Sequence, residues 1–426
     1  MKYKQILSII GIIFFIKSCG NTHTEQESGA HPIQSNLVII DPDYSEVKDT
    51  IFISQFIDSL IYIPLQQNQN CILSSILKVV IADAYIFVHD ASSLYMFQKD
   101  GSYLRTISTS CWGFDILRKN QFIFVADGQK IVVYNYQGDK VQNDILLSQN
   151  MVGIGNFFLA IDSCTIALSI WNKGVEPERL MLMQTDGTIV KTFPNYEQFK
   201  PQRTPLVNAS RFHRTLFRYH DSIRYHPYYA DTLFTLSNDT LQPVFVEKKI
   251  KKVPLQYRLE NLGDESAFRL YCHEHEAYTT RFFETSRYVF VIYNIGYITQ
   301  TLPSYLLYDK ITAQLYNYKQ EFNFSIGSLH LGLYNDFDGG LPFNPEYLSD
   351  EYLIEAYSAT KFIRDYNEGR SITECDENNI CISKSYDMRS NRSNNLEQTK
   401  LLEDLLQKIK VGDNPVLIIA KLKENL

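Results

Sequence analysis

The chain has 426 residues, of which 45% are hydrophobic and 13% aromatic, and its formal net charge is −7. This acidic balance offers no basic footprint, which argues against a nucleic-acid partner. The length exceeds that of an ordinary single domain, but repeat folds grow by adding repeats instead of enlarging one core, so we expect one body.

The N-terminus predicts export and lipidation. Lys2 and Lys4 precede an apolar run over residues 6–16, which is too short to span a bilayer and has the length of a signal-peptide core. The run ends in an aliphatic residue three positions before Cys19 and a small residue directly before it. This arrangement resembles the bacterial lipobox, whose cysteine is lipidated, although Lys17 departs from the usual small residue. The alternative is an ordinary signal peptide followed by an incidental cysteine.

Three segments follow from this interpretation. We predict a lipoprotein signal peptide over residues 1–18, a polar tether over 19–46 and a folded body over 47–426. The acyl chains on Cys19 would bury CH₂ groups at about 0.8 kcal/mol each, which suffices for stable anchoring. The predicted location is therefore the cell envelope, with the membrane as a partner through the lipid anchor. The outer membrane is favoured because Gly20, and not Asp, follows the cysteine.

One pair of strands recurs six times in the folded body. The first strands are YIFV (85–88), FIFVA (122–126), TIALSI (165–170), SIRYH (222–226), YVFVIY (288–293) and YLIEAY (352–357). Their partners are LYMF (94–97), IVVYNY (131–136), LMLM (180–183), TLFTL (232–236), YLLY (305–308) and VLIIAKL (416–422). Short runs rich in aromatic and β-branched residues, repeated every few tens of residues, indicate a radial β-repeat. The predicted fold class is all-β, a six-bladed β-propeller.

Turn residues support the count of six. Asp100-Gly101, Gly138-Asp139, Asp186-Gly187 and Asn238-Asp239 directly follow four of the partner strands. These residue types tolerate the positive φ that tight hairpins demand. The repeat grows from about 37 residues between the first two copies to about 65 between the last two, so the later blades carry longer loops. Because binding residues concentrate on loops held by a rigid scaffold, we expect a site in the second half of the chain.

The C-terminal region predicts how the ring closes. Asn395 with Gln398 forms a capping-box start, and an apolar stripe follows before Gly412, so we predict a short C-terminal helix inserted in blade six. The strand over 416–422 returns after this helix and leaves the sixth sheet one outer strand short. The run LIYIPL over 60–65 has no other partner, so we predict that this N-terminal strand closes the last blade.

Several segments carry a resemblance to a known family. They are YIPL (62–65), ILSSILKV (72–79), YIFVHD (85–90), LYMFQKDGSYLRTI (94–107), ADTLFTL (230–236), NDFDGGLPF (335–343) and DNPVLIIAKLK (413–423). These segments resemble the six-bladed β-propeller lipoproteins of Gram-negative gut anaerobes, a TolB-like and NHL-like group. The resemblance covers nearly the whole mature chain and implies the fold and the envelope location. It implies no established activity.

The cysteines and histidines give weaker signals. Six cysteines remain after the predicted processing at Cys19, and Cys375 and Cys381 are the only closely spaced pair among them that we expect to share one loop. The sequence leaves open whether this pair forms a disulfide. The run CHEHE over 272–276 is the densest set of potential metal ligands, but zinc sites read from sequence need paired ligands in two places. We expect an exposed polar loop there, with the ligands of any metal unknown.

The best candidates for a binding site lie in the later blades. The segment NDFDGG offers Asn335, Asp336 and Asp338, whose oxygens suit a cation or a ligand hydroxyl, although the rest of the Ca²⁺-loop pattern is missing. In the fourth blade, Arg224 and His226 suit an anionic group. We expect these five side chains to line the axial mouth, with both aspartates in turns outside the core. Each group also has a purely structural interpretation. NDFDGG could be only a turn that leads into the sixth blade, and Arg224 or His226 could point into the core because successive residues of a strand face opposite sides.

Two functional hypotheses survive. The first, which we favour, is a non-catalytic binding or interaction module for a peptide, a glycan or a partner protein, without a required cofactor and without catalytic residues. The second is a metal-dependent hydrolase of the lactonase type, in which a divalent cation sits on the axis of the propeller. A lactonase needs about three or four Asp, Glu or Asn ligands from different blades within metal-bond reach, whereas a binding module needs an open polar or aromatic funnel.

Overall fold

The computed structural model of the protein describes residues 37–48, 51–147, 158–170, 176–198, 215–227, 230–237, 239–248, 271, 274–275, 278–295, 304–318, 333–338, 340–349, 351–368, 370–375, 381–386 and 396–423. The predicted signal peptide with Cys19, most of the predicted tether, most of the CHEHE run and the predicted helix cap Asn395 lie outside these residues.

Three strands precede the first blade. They are β1 (Val38–Ile40), β2 (Glu46–Val47) and β3 (Ile57–Pro64), and short 3-10 turns occur at Pro42–Tyr44 and Ile53–Gln55. The buried residues of β3 are Ile57, Leu60 and Ile63, which pack on the core on the two sides of the strand. Each of the three joins a different blade, so the N-terminal segment passes along half of the ring.

Blades one to three are four-stranded antiparallel sheets in simple sequence order. Blade one consists of β4 (Ile76–Ala82), β5 (Tyr85–Asp90), β6 (Ser93–Gln98) and β7 (Tyr103–Ser108). Blade two consists of β8 (Gly113–Leu117), β9 (Phe122–Asp127), β10 (Lys130–Asn135) and β11 (Ile145–Leu146). Blade three consists of β12 (Phe158–Ala160), β13 (Thr165–Ser169), β14 (Glu178–Gln184) and β15 (Ile189–Pro194).

Blades four and five have the same antiparallel order and gain a fifth strand. Blade four consists of β16 (Leu216–Tyr219), β17 (Ser222–Tyr225), β18 (Thr232–Ser237) and β19 (Thr240–Glu247), with β1 added in parallel to β19. Blade five consists of β20 (Tyr278–Glu284), β21 (Tyr288–Ile295), β22 (Ser304–Asp309) and β23 (Gln314–Tyr318), with β2 added in parallel to β23. All of β1 and the first residue of β2 fall within the segment for which the sequence predicts a tether, so the folded body begins earlier than predicted.

Blade six combines both ends of the chain. Its strands are β24 (Tyr347–Ser349), β25 (Tyr352–Tyr357), β28 (Val416–Leu422) and, on the outside, β3. The β28–β3 register runs from Val416 opposite Pro64 to Leu422 opposite Ile57. The predicted closure of the last blade by the N-terminal strand is therefore confirmed.

The insertion in blade six lies between β25 and β28. It contains α1 (Ala359–Glu368), the hairpin strands β26 (Arg370–Cys375) and β27 (Cys381–Tyr386), and α2 (Leu396–Lys408). The α2 helix is the predicted one, whereas α1 and the hairpin were not predicted. On α2, Leu402 is buried and Leu401 is 58% exposed, so the apolar stripe is narrower than the sequence suggests. No helix in the described part of the chain has the length and apolar character needed to cross a membrane.

The six-bladed β-propeller predicted from the repeats is confirmed. The six predicted strand pairs are the second and third strands of the blades, for example β5 with β6 and β25 with β28. The first strands of neighbouring blades contact one another, for example β4 and β8. The first strands therefore surround the axis, and the fourth strands form the outer rim. The hydrophobic core is divided among the faces between adjacent blades, where bulky residues such as Phe87, Phe124 and Phe290 are fully buried.

Candidate functional site: an outer groove between blades four and five

A groove of about 530 Å³ lies on the outer rim between blades four and five. Its lining residues come from the N-terminal segment on one side and from the outer strands of the two blades on the other: Ile39, Asp41, Tyr44, Glu46, Lys248, Tyr308, Ala313, Gln314 and Leu315. The volume falls in the range of small-molecule sites in proteins. The groove is therefore large enough to take part of a polymeric ligand.

The N-terminal segment forms one wall because its backbone is fixed at both ends. At one end, Lys248 donates its backbone N–H to the carbonyl of Ile40 at 2.8 Å, and at the other Lys48 donates to the carbonyl of Asn317 at 2.9 Å. Between them the chain makes a 3-10 turn, capped by the carboxylate of Asp41, which accepts the backbone N–H of Asp43 at 3.2 Å. A proline at the first position of the turn has the right φ and loses no hydrogen bond.

The lining combines exposed apolar surface with anionic groups. Tyr44 is 85% exposed and Ile39 is 52% exposed, although both are residue types that proteins usually bury. On the opposite wall, Tyr308 lies edge-on to Phe245 with ring centroids 6.3 Å apart, which fixes its ring. An aromatic ring with one apolar face and a polar hydroxyl is well suited to amphipathic ligands.

The polar groups of the groove have defined neighbours. Glu46 forms an exposed ion pair with Lys48 at 2.5 Å, and this hydrogen bond raises the pKa of the Lys48 ammonium. The side-chain carbonyl of Gln314 accepts a hydrogen bond from the Tyr316 hydroxyl at 2.5 Å. This contact joins two side chains on the exposed surface of β23.

Arg224 is held in an ion pair between blades four and five. Its guanidinium donates from Nε to Glu284 Oε2 at 2.5 Å and from Nη2 to Glu284 Oε1 at 3.2 Å. A third bond joins Nη1 to the hydroxyl of Thr235 at 2.7 Å, and the guanidinium lies 4.8 Å from the ring centre of Tyr219. Lys310 also reaches Glu284, at 3.3 Å. Arg224 and Glu284 are both buried. Because Arg224 belongs to blade four and Glu284 to blade five, their ion pair joins the two blades.

His226 takes partners of its own, also within the protein. Its side chain is 1% exposed, its Nε2 lies 3.0 Å from the carbonyl oxygen of Ala230, and its ring centroid lies 4.7 Å from that of Phe282. Its backbone N–H donates to the carbonyl of Thr215 at 2.7 Å. Arg224 and His226 are thus both buried, as the structural interpretation of this strand predicts. Their role toward a ligand stays a prediction.

The structure brings Asn335 and Asp338 together and gives Asp336 a separate partner. The amide of Asn335 donates to Asp338 Oδ1 at 2.7 Å, and the same oxygen accepts the backbone N–H of Gly340 at 2.8 Å. Asp336 accepts the backbone N–H of Ser54 at 3.0 Å and also the Ser54 hydroxyl. These contacts pin the segment that leads into blade six to the N-terminal segment.

The expectation that both aspartates lie outside the core is wrong for Asp338. This residue is 1% exposed, and burial raises the pKa of its carboxyl above the ordinary value. Tyr62 of the closing strand is its neighbour, and burial together with the Asp338 charge raises the pKa of the Tyr62 hydroxyl well above its usual range. The physical reason is that the closing strand and α2 cover this turn; Leu402 of α2 lies beside Gly340.

Polar contacts around the axis join neighbouring blades. In blade two, Asp115 Oδ2 accepts the backbone N–H of Ala160 in blade three at 2.9 Å and a guanidinium hydrogen of Arg218 in blade four at 2.9 Å. Among the residues that the structure describes, no group of three or more His, Cys, Asp or Glu side chains could hold a metal ion. The inner polar groups of these blades are thus used to connect the ring.

Sequence reasoning missed the groove because its wall lies in the segment assigned to the tether. The apolar run at 38–40 and the Asp41-Pro42 pair, which is a common start for a helical turn, were the available signals. Glu284, the partner of Arg224, was also missed, since no local pattern links residues 60 positions apart.

The geometry defines a six-bladed β-propeller that carries a mixed polar and aromatic groove on its rim. The chain belongs to the family described as a domain of unknown function, DUF4934, whose model matches residues 37–421. None of the curated proteins compared with the chain matches it.

The chain is similar to solved structures of Bacteroides proteins. A protein of Bacteroides fragilis NCTC 9343, named as an exported protein, aligns over 91% of this chain and 100% of its own length, with 14% identity and a TM-score of 0.63. A member of the DUF4221 family from Bacteroides vulgatus ATCC 8482 aligns over 87% of this chain and 98% of its own, with 10% identity and a TM-score of 0.44. At such identities the likeness concerns the fold alone.

Proposed function

We propose that this protein is a non-catalytic binding module of the cell envelope and that the groove between blades four and five is its binding surface. The observation that carries the proposal is Tyr44, an 85% exposed aromatic side chain at the edge of a groove that also holds Asp41 and Glu46. Exposed aromatic residues beside oriented polar groups are typical of recognition surfaces. An open groove of this kind is what the first functional hypothesis requires.

The lining favours a glycan as the ligand. Tyr44 and Tyr308 offer aromatic faces to the C–H groups of a sugar ring, while the carboxylates and the Gln314 amide can bond its hydroxyls. Lys248 adds a donor at the rim. A peptide or a partner protein would use the same apolar surface but has no need of so many hydroxyl-binding groups, and these two ligand classes are outcomes of the test.

The binding experiment compares two equally exposed tyrosines. Tyr44 lines the groove, whereas Tyr196, which is 80% exposed, belongs to blade three and lies outside the lining. The mature protein, Tyr44→Ala and Tyr196→Ala are tested on a glycan array and on a peptide library. We expect Tyr44→Ala to lose the glycan signals by about tenfold or more and Tyr196→Ala to keep them, since aromatic anchors dominate such surfaces. Equal binding by both variants would contradict the proposal for the groove.

The envelope location and the lipid anchor are part of the proposal. They are supported by the apolar run that ends at Cys19, by the resemblance to propeller lipoproteins of the TolB-like and NHL-like kind, and by the exported relative of the same fold. Labelled palmitate should be incorporated into the wild-type chain and not into Cys19→Ala, which should leave the membrane fraction. A wild-type chain that never takes up the label would contradict the anchor, and the groove experiment is independent of this result.

The metal-dependent hydrolase remains the second candidate. This function needs a divalent cation bound by oxygens such as those of Asn335, Asp336 and Asp338, which would have to give up their present hydrogen bonds to one another and to Ser54. Metal analysis of the purified mature protein and a lactone hydrolysis assay test it directly. Stoichiometric metal that is lost in Asp336→Ala would favour the hydrolase over the binding module, and Asp336 is the better choice because Asp338 is buried.

A further inference from the structure

The hairpin inserted in blade six ends in two cysteines. Strands β26 and β27 pair over six consecutive positions, from Arg370 opposite Tyr386 to Cys375 opposite Cys381. Cys375 is the last residue of β26 and Cys381 the first residue of β27, so the cysteines form the pair nearest the connecting segment 376–380. We infer that Cys375 and Cys381 form a disulfide that closes this hairpin.

The register alone satisfies the distance requirement. Residues that stand directly opposite in an antiparallel pair have Cα atoms about 4.5 or 5.5 Å apart, depending on the type of pair. A disulfide joins residues whose Cα atoms are about 4.4–6.8 Å apart. Opposite positions also share one face of the ladder, because successive residues alternate between the two faces. The register therefore places the two cysteines within the Cα distance that a disulfide spans.

The cysteines with described side chains lie in different surroundings. Cys71 and Cys111 are free and buried, and burial raises the pKa of their thiols to about 11 and about 12. Cys164 is free and exposed. A buried thiol with a raised pKa forms little thiolate and exchanges slowly, so Cys71 and Cys111 do not compete for the hairpin pair.

The reaction is an ordinary thiol–disulfide exchange. One hairpin thiolate attacks a sulfur of a disulfide-bearing oxidant, such as a thiol–disulfide oxidoreductase of the envelope or oxidised glutathione, and releases one of its thiols. The second hairpin thiolate then attacks the mixed disulfide and releases the other thiol. Two protein thiols lose two electrons and two protons, and the oxidant's disulfide becomes two thiols. The supply of such an oxidant rests on the proposed envelope location.

The sequence makes the test simple. Trypsin cleaves after Arg370 and Lys384, so both cysteines fall in one peptide over 371–384. In protein recovered from the envelope under denaturing, non-reducing conditions with an alkylating agent, this peptide should be lighter by two hydrogen atoms than its dithiol form and should carry no label. After reduction it should carry two labels. A protease specific for Glu cleaves after Glu377, and the two fragments should stay joined until a reductant is added.

Cys164 is the matched control, because it should be labelled without reductant in the same sample. The variant Cys375→Ser should make Cys381 accessible to the label, with no dimer formed. Full labelling of both cysteines without reductant would overturn the inference, as would a disulfide between either one and another cysteine. A bridge that forms with oxidised glutathione in the purified protein but is absent from protein recovered from the envelope would also overturn it, and would count against the proposed location too.

Discussion

At the scale of single residues, the protein separates charges that hold the fold from charges that face solvent. Arg224 and Glu284 are almost fully buried between two blades and satisfy one another through two hydrogen bonds. Glu46 and Lys48 at the groove are paired as well, but both are largely exposed. Removing either partner of the buried Arg224–Glu284 pair would leave an unpaired charge in the interior and lower the stability strongly. Water can solvate either partner of the exposed Glu46–Lys48 pair when the other is removed.

Breaking the buried pair should strongly destabilise the protein. Glu284→Ala leaves the Arg224 guanidinium without its counter-charge, and we expect a loss of roughly 3–5 kcal/mol in the free energy of unfolding. The double variant Arg224→Met and Glu284→Leu removes both charges and should recover much of the loss. Glu46→Gln at the exposed pair should change stability little. Urea unfolding measures all three, and equal losses for the single and double variants would contradict the argument.

The raised pKa of Asp338 predicts a pH dependence of stability. Because the folded protein holds this proton more tightly than the unfolded chain, the folded state binds more protons above the ordinary carboxyl pKa of about 3.9. The free energy of unfolding therefore falls as the pH rises through the interval between the ordinary and the raised value. Asp338→Asn cannot ionise, so its stability should fall less over that interval.

The measurement is a series of urea unfolding curves for the wild type and Asp338→Asn between about pH 4 and pH 7. Burial also raises the pKa of Glu346, which contributes in the same direction but is present in both proteins and cancels in the comparison. Parallel stability curves for the two proteins would show that Asp338 does not titrate differently on folding.

At the scale of elements, the closing strand is held by more than its own ladder. Gln66, just after β3, donates its backbone N–H to the carbonyl of Gly101 in the turn between β6 and β7 at 2.9 Å. Gly101 has a φ of +88°, and a Cβ at this position would lie 2.3 Å from the carbonyl oxygen of Pro64. The turn of blade one therefore packs directly against the strand that completes blade six.

Two glycines with the same backbone conformation test this contact. Gly187 in blade three has a φ of +91°, and a Cβ there would meet no atom within 4 Å. Gly101→Ala and Gly187→Ala share the cost of a positive φ, but only the first also forces the closing strand away. We expect Gly101→Ala to lose about 1–3 kcal/mol more than Gly187→Ala, the range seen for overpacking. Thermal and urea unfolding of the two variants decide this, and similar losses would argue against a tight contact.

At the scale of the whole molecule, stability depends on joining the chain ends. The β3 strand contributes Leu60 and Ile63 to the hydrophobic clusters on the two sides of blade six. Without it, β28 would become an edge strand with unpaired backbone groups. The ring is then open at blade six.

Deleting residues 47–65 should consequently lower the melting temperature by roughly 5 °C or more, because each lost kcal/mol shifts it by about 2–4 °C in domains of about 150–250 residues and by less in a larger one. Aggregation through the exposed β28 edge is expected as well. Deleting only residues 21–36, which lie outside the matched family domain, should leave the melting temperature unchanged. An intact melting temperature after the first deletion would contradict closure as a source of stability.

The sequence by itself determined the number and order of the blades. Strand periodicity and turn residues are local properties, so repeats such as YIFV with LYMF are readable without a partner, and Gly101, Gly187 and Asp239 take the positive φ that their turns require. The closing strand was also predictable. LIYIPL was a predicted strand without a partner, and the last blade of the predicted ring lacked its outer strand.

The tertiary structure decided which polar residues are used inside the protein and which face a ligand. Asp338 looked like an exposed turn residue and is buried, because Tyr62 of the closing strand, which is distant in the sequence, packs over it together with α2. Residues 38–46 looked like part of a tether and form the wall of a groove, because the outer edges of blades four and five offer unpaired strand edges for them. Such long-range contacts depend on the assembled ring, and no local pattern encodes them.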